Sequence, residues 1–178
     1  MEAKLSGNNV RLRAIEPEDL ELLYEWENNE EIWKLSNTHA PFSRYMLKKY
    51  IETASNDIYE LKELRLIIEK KDDHEAIGAI DLFDFDPFHL RAGVGILIHQ
   101  PKNRGKGFAS EALEICIQYA FANLGLKQLF CNITETNEQS LKLFIKRGFV
   151  ITGRKIDWIK AEEGWLTEFF LQLVDKSR

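Results

Sequence analysis

Cysteine is nearly absent from this sequence: Cys116 and Cys131 are the two residues of that type among 178. Their spacing fits no metal centre, and they read as reduced, buried thiols of a cytoplasmic protein. Long apolar runs are absent, which excludes a membrane-spanning helix, and the start MEAKLSGNNV has none of the apolar core of a signal peptide. Positive charge is in deficit, since 24 lysines and arginines against 29 acids give a formal net charge of −5. That argues against nucleic-acid binding through general electrostatics, yet it permits an anion at one local basic site. Repeats, low-complexity tracts and linkers are also missing. What remains, with 44% hydrophobic and 30% charged residues, is the composition of one globular domain spanning 1–178 with a sizeable core.

The apolar pattern sets the expected elements. Val10–Ile15 alternates as a half-buried strand. Pro17, Glu18 and Asp19 open a helix whose inner face is Leu20, Leu23 and Tyr24, and Asn28-Asn29 ends it. Residues 30–43 are irregular by pattern, and about 44–55 forms a second helix with Tyr45, Leu47, Tyr50, Ile51 and Ala54. Three strands follow, Leu64–Glu69, Ala76–Phe83 and Arg91–His99, the last two joined by a turn at Asp84–His89 with an Asp-Pro step. The strongest helical period runs from Ala109 through Leu113, Cys116 and Ala120 to Leu124, with Gly125 as its stop. Gln128–Thr134 is a strand, and Asn137 caps a short helix carrying Leu141, Phe144 and Ile145 that Gly148 ends. Phe149–Lys160 and Trp165–Val174 complete the chain as two long strands. This order makes an α/β (α+β) domain around one mixed sheet.

The segment PKNRGKGFASEA, residues 101–112, lies between the strand ending near Ile98 and the long helix. Helix-start N–H groups have no intrahelical partner, the helix dipole adds positive charge, and a glycine turn lets a phosphate approach the backbone. Arg104 and Lys106 would add charge-assisted contacts, with Lys102 further out. Spacing excludes a Walker A loop, because Lys106 precedes Gly107 rather than Ser or Thr. It also excludes the dinucleotide fingerprint, because Gly93-Val94-Gly95 lies inside a strand with Ile98 at the third glycine position. On the residues alone a phosphate cradle and a solvated surface turn stand about even.

Two motifs shift that balance. Arg104-Gly105-Lys106-Gly107-Phe108-Ala109, between a strand and a long amphipathic helix, resembles the Arg/Gln-x-x-Gly-x-Gly/Ala signature of the GNAT superfamily of N-acetyltransferases. Downstream, Asn137 to Phe149 (NEQSLKLFIKRGF) resembles the second motif of that superfamily, and the element order matches over nearly the whole chain. Within the superfamily the sequence looks most similar to the spermidine/diamine and the ribosomal-protein N-terminal acetyltransferases. The resemblance implies a single-domain GNAT fold: a mixed, mostly antiparallel sheet of about seven strands, about four helices and splayed central strands. It implies transfer of acetyl from acetyl-CoA to a primary amine by direct attack in a ternary complex, the amine being polyamine-like or a protein N-terminus. No metal, nucleic acid or membrane is expected to take part.

Carried over by position, Gly105, Lys106, Gly107, Phe108 and Ala109 would cradle the CoA pyrophosphate with Arg104 beside them. Ile96, Leu97 and Ile98 would pair with the pantetheine, Asn137 would contact that arm, and Phe144 would lie near the thioester sulfur. Many relatives carry a tyrosine acid at the position of Phe144, and phenylalanine has no proton to give. A second reading follows from this: a CoA-binding module with little catalysis, serving as sensor or scaffold. Asp81, Asp84, Asp86 and His89 are the candidate bases. Asp84 aligns with an acidic substrate-site residue of the spermidine enzymes and is favoured as catalytic, although as a residue it stands equally as a turn former. Another acidic position of those enzymes is occupied here by Gly93. His39, His74 and His99 have no metal spacing and read as structural or surface residues. By family analogy the last two strands pair across a two-fold axis, giving a homodimer.

Overall fold

A computed structural model of the chain describes residues 5–36, 40–54 and 56–177. Among these residues seven strands form one sheet: β1 (Val10–Arg13), β2 (Leu64–Lys70), β3 (Ala76–Asp86), β4 (Arg91–Ile98), β5 (Gln128–Thr134), β6 (Val150–Ala161) and β7 (Gly164–Val174), in the spatial order β1-β2-β3-β4-β5-β7-β6. The β4–β5 pair is parallel and the other neighbours are antiparallel. The four expected helices are present as α1 (Leu20–Glu27), α3 (Arg44–Thr53), α5 (Phe108–Ala122) and α6 (Glu138–Lys146). Two more were not legible: α2 (Glu30–Ser36), in the segment expected to be irregular, and the single turn α4 (Ile58–Leu61). The expectation for His39 lies outside the described residues.

Alternation along β2 and β3 assigns the helices to opposite faces. Ile67 and its register partner Ala79 pack with Leu23, Trp26, Leu47 and Ile51 of α1 and α3. Leu66, Ile68 and Ile80 face the larger cluster, with Leu113, Cys116 and Ala120 of α5 and Phe144 of α6. This follows from the two-residue period of a strand, which sends neighbours to opposite faces. Tyr45, expected on the inner face of its helix, is 67% exposed, because Leu47 and Ile51 take the buried stripe. The buried Glu69 ties the first two strands together by accepting from Arg11 (2.8 Å) and Arg13 (2.6 Å). Arg13 also holds both oxygens of Asp19 at the entry to α1, at 2.8 and 2.9 Å.

The expected turn at Asp84–His89 is shorter than the sequence suggested. β3 continues to Asp86 across a bulge, because Phe83 pairs with Gly93 but Asp86 pairs with Arg91. The Phe85 N–H leaves the ladder and donates to the Lys62 carbonyl at 2.9 Å, and Asp84 takes the left-handed conformation at φ +48. Asp is among the few residues that tolerate this region. One β4 glycine has a packing reason: the Phe83 ring occupies the space where a Cβ on Gly93 would sit. Gly93→Ala is expected to cost about 1–3 kcal/mol by overpacking. The double variant with Phe83→Leu should be more stable than the two single changes added together. Urea titration checks both, and an unchanged midpoint for Gly93→Ala would contradict the close contact.

Candidate functional site

The sheet opens between β4 and β5. They pair at Arg91↔Gln128, Ala92↔Leu129 and Gly93↔Phe130, and beyond that each stays with its other neighbour. β5 remains paired with β7 as far as Thr134↔Glu168, and β4 with β3 as far as Ile98↔Gly78. The next N–H on the chain, that of His99, donates to the Ile77 carbonyl at 3.0 Å and fixes the alternation along β4. Gly93, Gly95 and Leu97 therefore turn their polar groups toward β3, whereas Ile96 and Ile98 turn theirs toward the gap. Arg104 Nε donates to the Ile98 carbonyl at 2.9 Å and its Nη2 to the His99 carbonyl at 2.9 Å. The edge that remains, centred on Ile96, suits an extended ligand that adds as a strand does.

The glycine turn lies at the end of this edge. Gly105 (φ +72) and Gly107 (φ +87) occupy left-handed conformations, and among the described residues no atom beyond their chain neighbours lies within 4 Å of where a Cβ on either would be. Gly107 is the N-cap of α5, and no side chain caps the helix. Its first helical bond runs from the Glu111 N–H to the Gly107 carbonyl at 3.0 Å, so the N–H groups of Phe108, Ala109 and Ser110 have no acceptor within the helix. A bare backbone, uncapped donors and the positive end of a 15-residue helix coincide here, which is the chemistry of a phosphate cradle. Lys106 is exposed beside it, and Lys102 Nζ is 2.7 Å from Glu75. The Arg104 guanidinium, expected beside the anion, is turned back onto the end of β4.

On the α1/α3 face the candidate bases separate by partner. Asp81 is held by Arg65 at 2.7 and 3.0 Å, and Arg65 also reaches Glu27 at 2.5 Å. Burial alone would lower the Arg65 pKa, but Asp81, joined by Tyr50 and Glu27, raises it well above the ordinary value. Asp86 accepts the N–H groups of His89 (2.9 Å) and Phe88 (3.1 Å) and lies 3.2 Å from Arg91. Those contacts, led by the His89 N–H, hold its carboxyl below the usual range and make it a turn former. The Asp84 side chain is exposed and, among the described residues, has no hydrogen-bond or ion-pair partner. It lines a cleft of about 400 Å³ with Asp86, Arg91, Gln128, Phe130, Phe170 and Gln172. Phe130, the last β5 residue paired to β4, stands 5.6 Å from Phe170, so the cleft reaches the apex of the gap.

Other expected residues fall elsewhere. Asn137 caps α6, its Oδ1 accepting the Ser140 N–H at 3.2 Å, just past the end of β5. Phe144 is 3% exposed and meets Phe149 edge-on at 5.0 Å, so it is core packing and does not line the cleft. His89 and His74 are exposed. His99 is buried and stacks on Trp26 at 4.1 Å, where burial first, then Arg65 and Arg104, push its pKa down to about 3. The Glu27–Arg65–Asp81 network was not among the features expected from the sequence. Its trace was an arginine in an apolar strand opposite an aspartate in the next.

Comparison with known proteins gives a consistent result. The model of the acetyltransferase (GNAT) domain family matches residues 9–150. Spermidine N(1)-acetyltransferase of Escherichia coli is 28% identical over 83% of this chain and 76% of its own. The uncharacterized N-acetyltransferase YoaA of Bacillus subtilis is 30% identical over 84% of each. The crystal structure of spermidine N-acetyltransferase from Vibrio cholerae in complex with CoA and spermine superposes with a TM-score of 0.83 at 23% identity, covering 93% of this chain and 95% of that one.

Two measurements probe this geometry. Gly107→Glu puts bulk and negative charge at the uncapped helix start; it should retain the circular dichroism of the parent and lose measurable CoA binding by calorimetry. Retained affinity would misplace the anion. His99 has a folded-state pKa near 3 against 6.5 when unfolded, so its contribution to stability is present above about 6.5 and is lost as pH falls toward 3. Between pH 6.5 and 5 the parent should lose about 1 kcal/mol per pH unit that His99→Phe does not lose. Parallel slopes in denaturant titrations would contradict a neutral, buried His99.

Proposed function

This chain belongs to the GNAT acetyltransferase family, and from that premise we propose that it transfers acetyl from acetyl-CoA to the primary amine of a small, cationic, polyamine-like acceptor. The observation that carries the proposal is the gap between β4 and β5 leading to the bare, uncapped start of α5. The N–H groups at Phe108, Ala109 and Ser110 hold the pyrophosphate, with Gly105 and Gly107 giving access and Lys106 adding charge. The open edge of Ile96 and Ile98 receives the pantetheine, with Leu97 between them and Asn137 reaching the arm from the far side. Arg104 acts indirectly, by fixing the end of that edge.

The acceptor enters through the cleft of Asp84, Phe130 and Phe170. A carboxylate without an internal counter-ion and two aromatic faces suit an ammonium group. Asp84 takes the proton from the ammonium, directly or through water, and the neutral amine attacks the thioester carbonyl carbon. The C–N bond forms, the C–S bond breaks, and the nitrogen gives its second proton to solvent as the neutral amide forms. The Ile96 N–H donates to the carbonyl oxygen as charge develops there. Solvent returns a proton to the departing sulfur, since Phe144 has none. Much of the rate comes from holding amine and thioester in register.

Relatives named as spermidine acetyltransferases favour a polyamine-like acceptor, and a protein N-terminal amine is the alternative that a panel resolves. The reading as a weakly catalytic CoA-binding module draws on Phe144 alone. We place the whole chain, 1–178, in one domain working in the cytoplasm; no helix among the described residues is long and apolar enough to cross a membrane. The exposed Ile156, Trp158 and Trp165 on β6 and β7 favour a homodimer through that hairpin.

A thiol-release assay with acetyl-CoA over diamines, polyamines and N-terminal peptides tests the activity. The expected result is turnover on a diamine or polyamine, with Asp84→Asn lowering kcat/KM by about 10²–10⁴ while the Kd of acetyl-CoA is unchanged. Cofactor binding without thiol release on any amine or peptide would replace this reading with the binding module. Full activity in Asp84→Asn would remove Asp84 from proton transfer.

A further inference from the structure

Glu111 is an awkward residue beside an anion site. Its N–H makes the first bond of α5, so its side chain starts from the first turn of the helix. A carboxylate moving freely there would compete with a phosphate for the same N–H groups and repel it. The fold turns it aside. Glu111 Oε1 accepts the N–H of Asn9 at 2.7 Å and that of Val10 at 3.3 Å, and Oε2 accepts Nδ2 of Asn9 at 2.8 Å. These donors stand at the entry to β1, in a turn closed by the Gly7 N–H on the Val10 carbonyl at 2.9 Å. Lys71 Nζ pins the same turn through the Gly7 carbonyl at 2.8 Å. Burial would raise the Glu111 carboxyl, but the side chain and N–H of Asn9, with Val10 and Asn8, hold it below the ordinary range. The charge is kept and is satisfied internally, in a concave set of backbone donors of the kind that binds anions.

We propose that the Asn9–Val10 turn masks the charge of Glu111, and that this masking leaves the first turn of α5 able to hold the pyrophosphate of CoA. The inference rests on the pyrophosphate reading given above. Asn9 is then a positioning residue for a site some distance from its own contacts. Its effect is electrostatic and falls on the phosphate end of the cofactor, which distinguishes it from a general role in stability.

The test compares acetyl-CoA with S-acetylpantetheine, which carries the same thioester arm without the pyrophosphate. In Asn9→Ala the Kd and KM for acetyl-CoA should rise roughly tenfold, as expected for an added like charge near the phosphates, with little change for S-acetylpantetheine. Adding Glu111→Gln to Asn9→Ala should restore acetyl-CoA binding, and Glu111→Gln alone should resemble the parent. If Asn9→Ala is unfolded by circular dichroism, Asn9→Ser takes its place with the same expectations. Equal weakening toward both thioesters, or no rescue by Glu111→Gln, would make the contact structural and overturn the proposal. Unchanged acetyl-CoA binding in the single variant would overturn it as well. If the parent binds S-acetylpantetheine but shows no preference for acetyl-CoA, the pyrophosphate reading itself fails, and this inference with it.

Discussion

Past Gly93 the ladder between β4 and β5 ends, and the polar backbone groups of Ile96 have no strand beside them. Such groups carry a free-energy cost when they are neither paired nor solvated. The fold keeps the gap because both strands are committed elsewhere. β5 is paired to β7 along its whole length, β4 to β3, and Ile98 and Ile133 are buried on either side. Closing the gap would break one of those ladders and unpack those side chains. Arg104 satisfies the two carbonyls at the far end and so limits how far the open edge extends. The unpaired length suits an extended ligand, and the α5 start stands where the terminal group of such a ligand would arrive.

Charge around this gap is arranged by partner more than by amount. Asp81, Asp86 and Glu111 each meet a cation or a set of N–H donors within the fold. Each is thereby satisfied within the fold and given little reason to take up a ligand. Asp84 has no such partner among the described residues. An uncompensated carboxylate on the rim of a cleft is the one able to exchange its solvent for an ammonium group. The net negative charge of the chain carries less information than this sorting does.

The sequence made the local features legible and the long-range ones obscure. The α5 period, the Asn137 cap and the glycines at 105 and 107 are each written within a few residues, and each lies where the pattern put it. The splay of β4 from β5 was expected through family resemblance, since the order of residues along β4 does not encode where its neighbour leaves. α2 was missed because a seven-residue helix opening on Glu30-Glu31 and bounded by irregular chain shows too little period to detect. The bulge at Asp84 was read as part of a turn because an Asp-Pro step is a strong local signal, and only pairing to Arg91 shows that the strand continues. Arg65–Asp81 and Asn9–Glu111 join residues far apart in the chain, so neither has a local signature.

The bulge and Gly93 are linked, and together they determine where an acid can stand at this site. The Phe83 ring fills the space above Gly93 and then meets Phe130 edge-on at 5.8 Å, so an aromatic surface covers the apex of the gap on that face. Any side chain at position 93 would have to displace that ring. A carboxylate is therefore excluded from β4 at this level and must come from a neighbouring strand. One extra residue in β3 provides it, by turning Asp84 out of the ladder immediately after Phe83. The left-handed conformation of Asp84 is the local cost, modest for aspartate, of presenting an acid beside an apex closed by aromatic rings. The ring that bars an acid from β4 and the bulge that supplies one from β3 are adjacent residues, so changing either one alters the geometry of both.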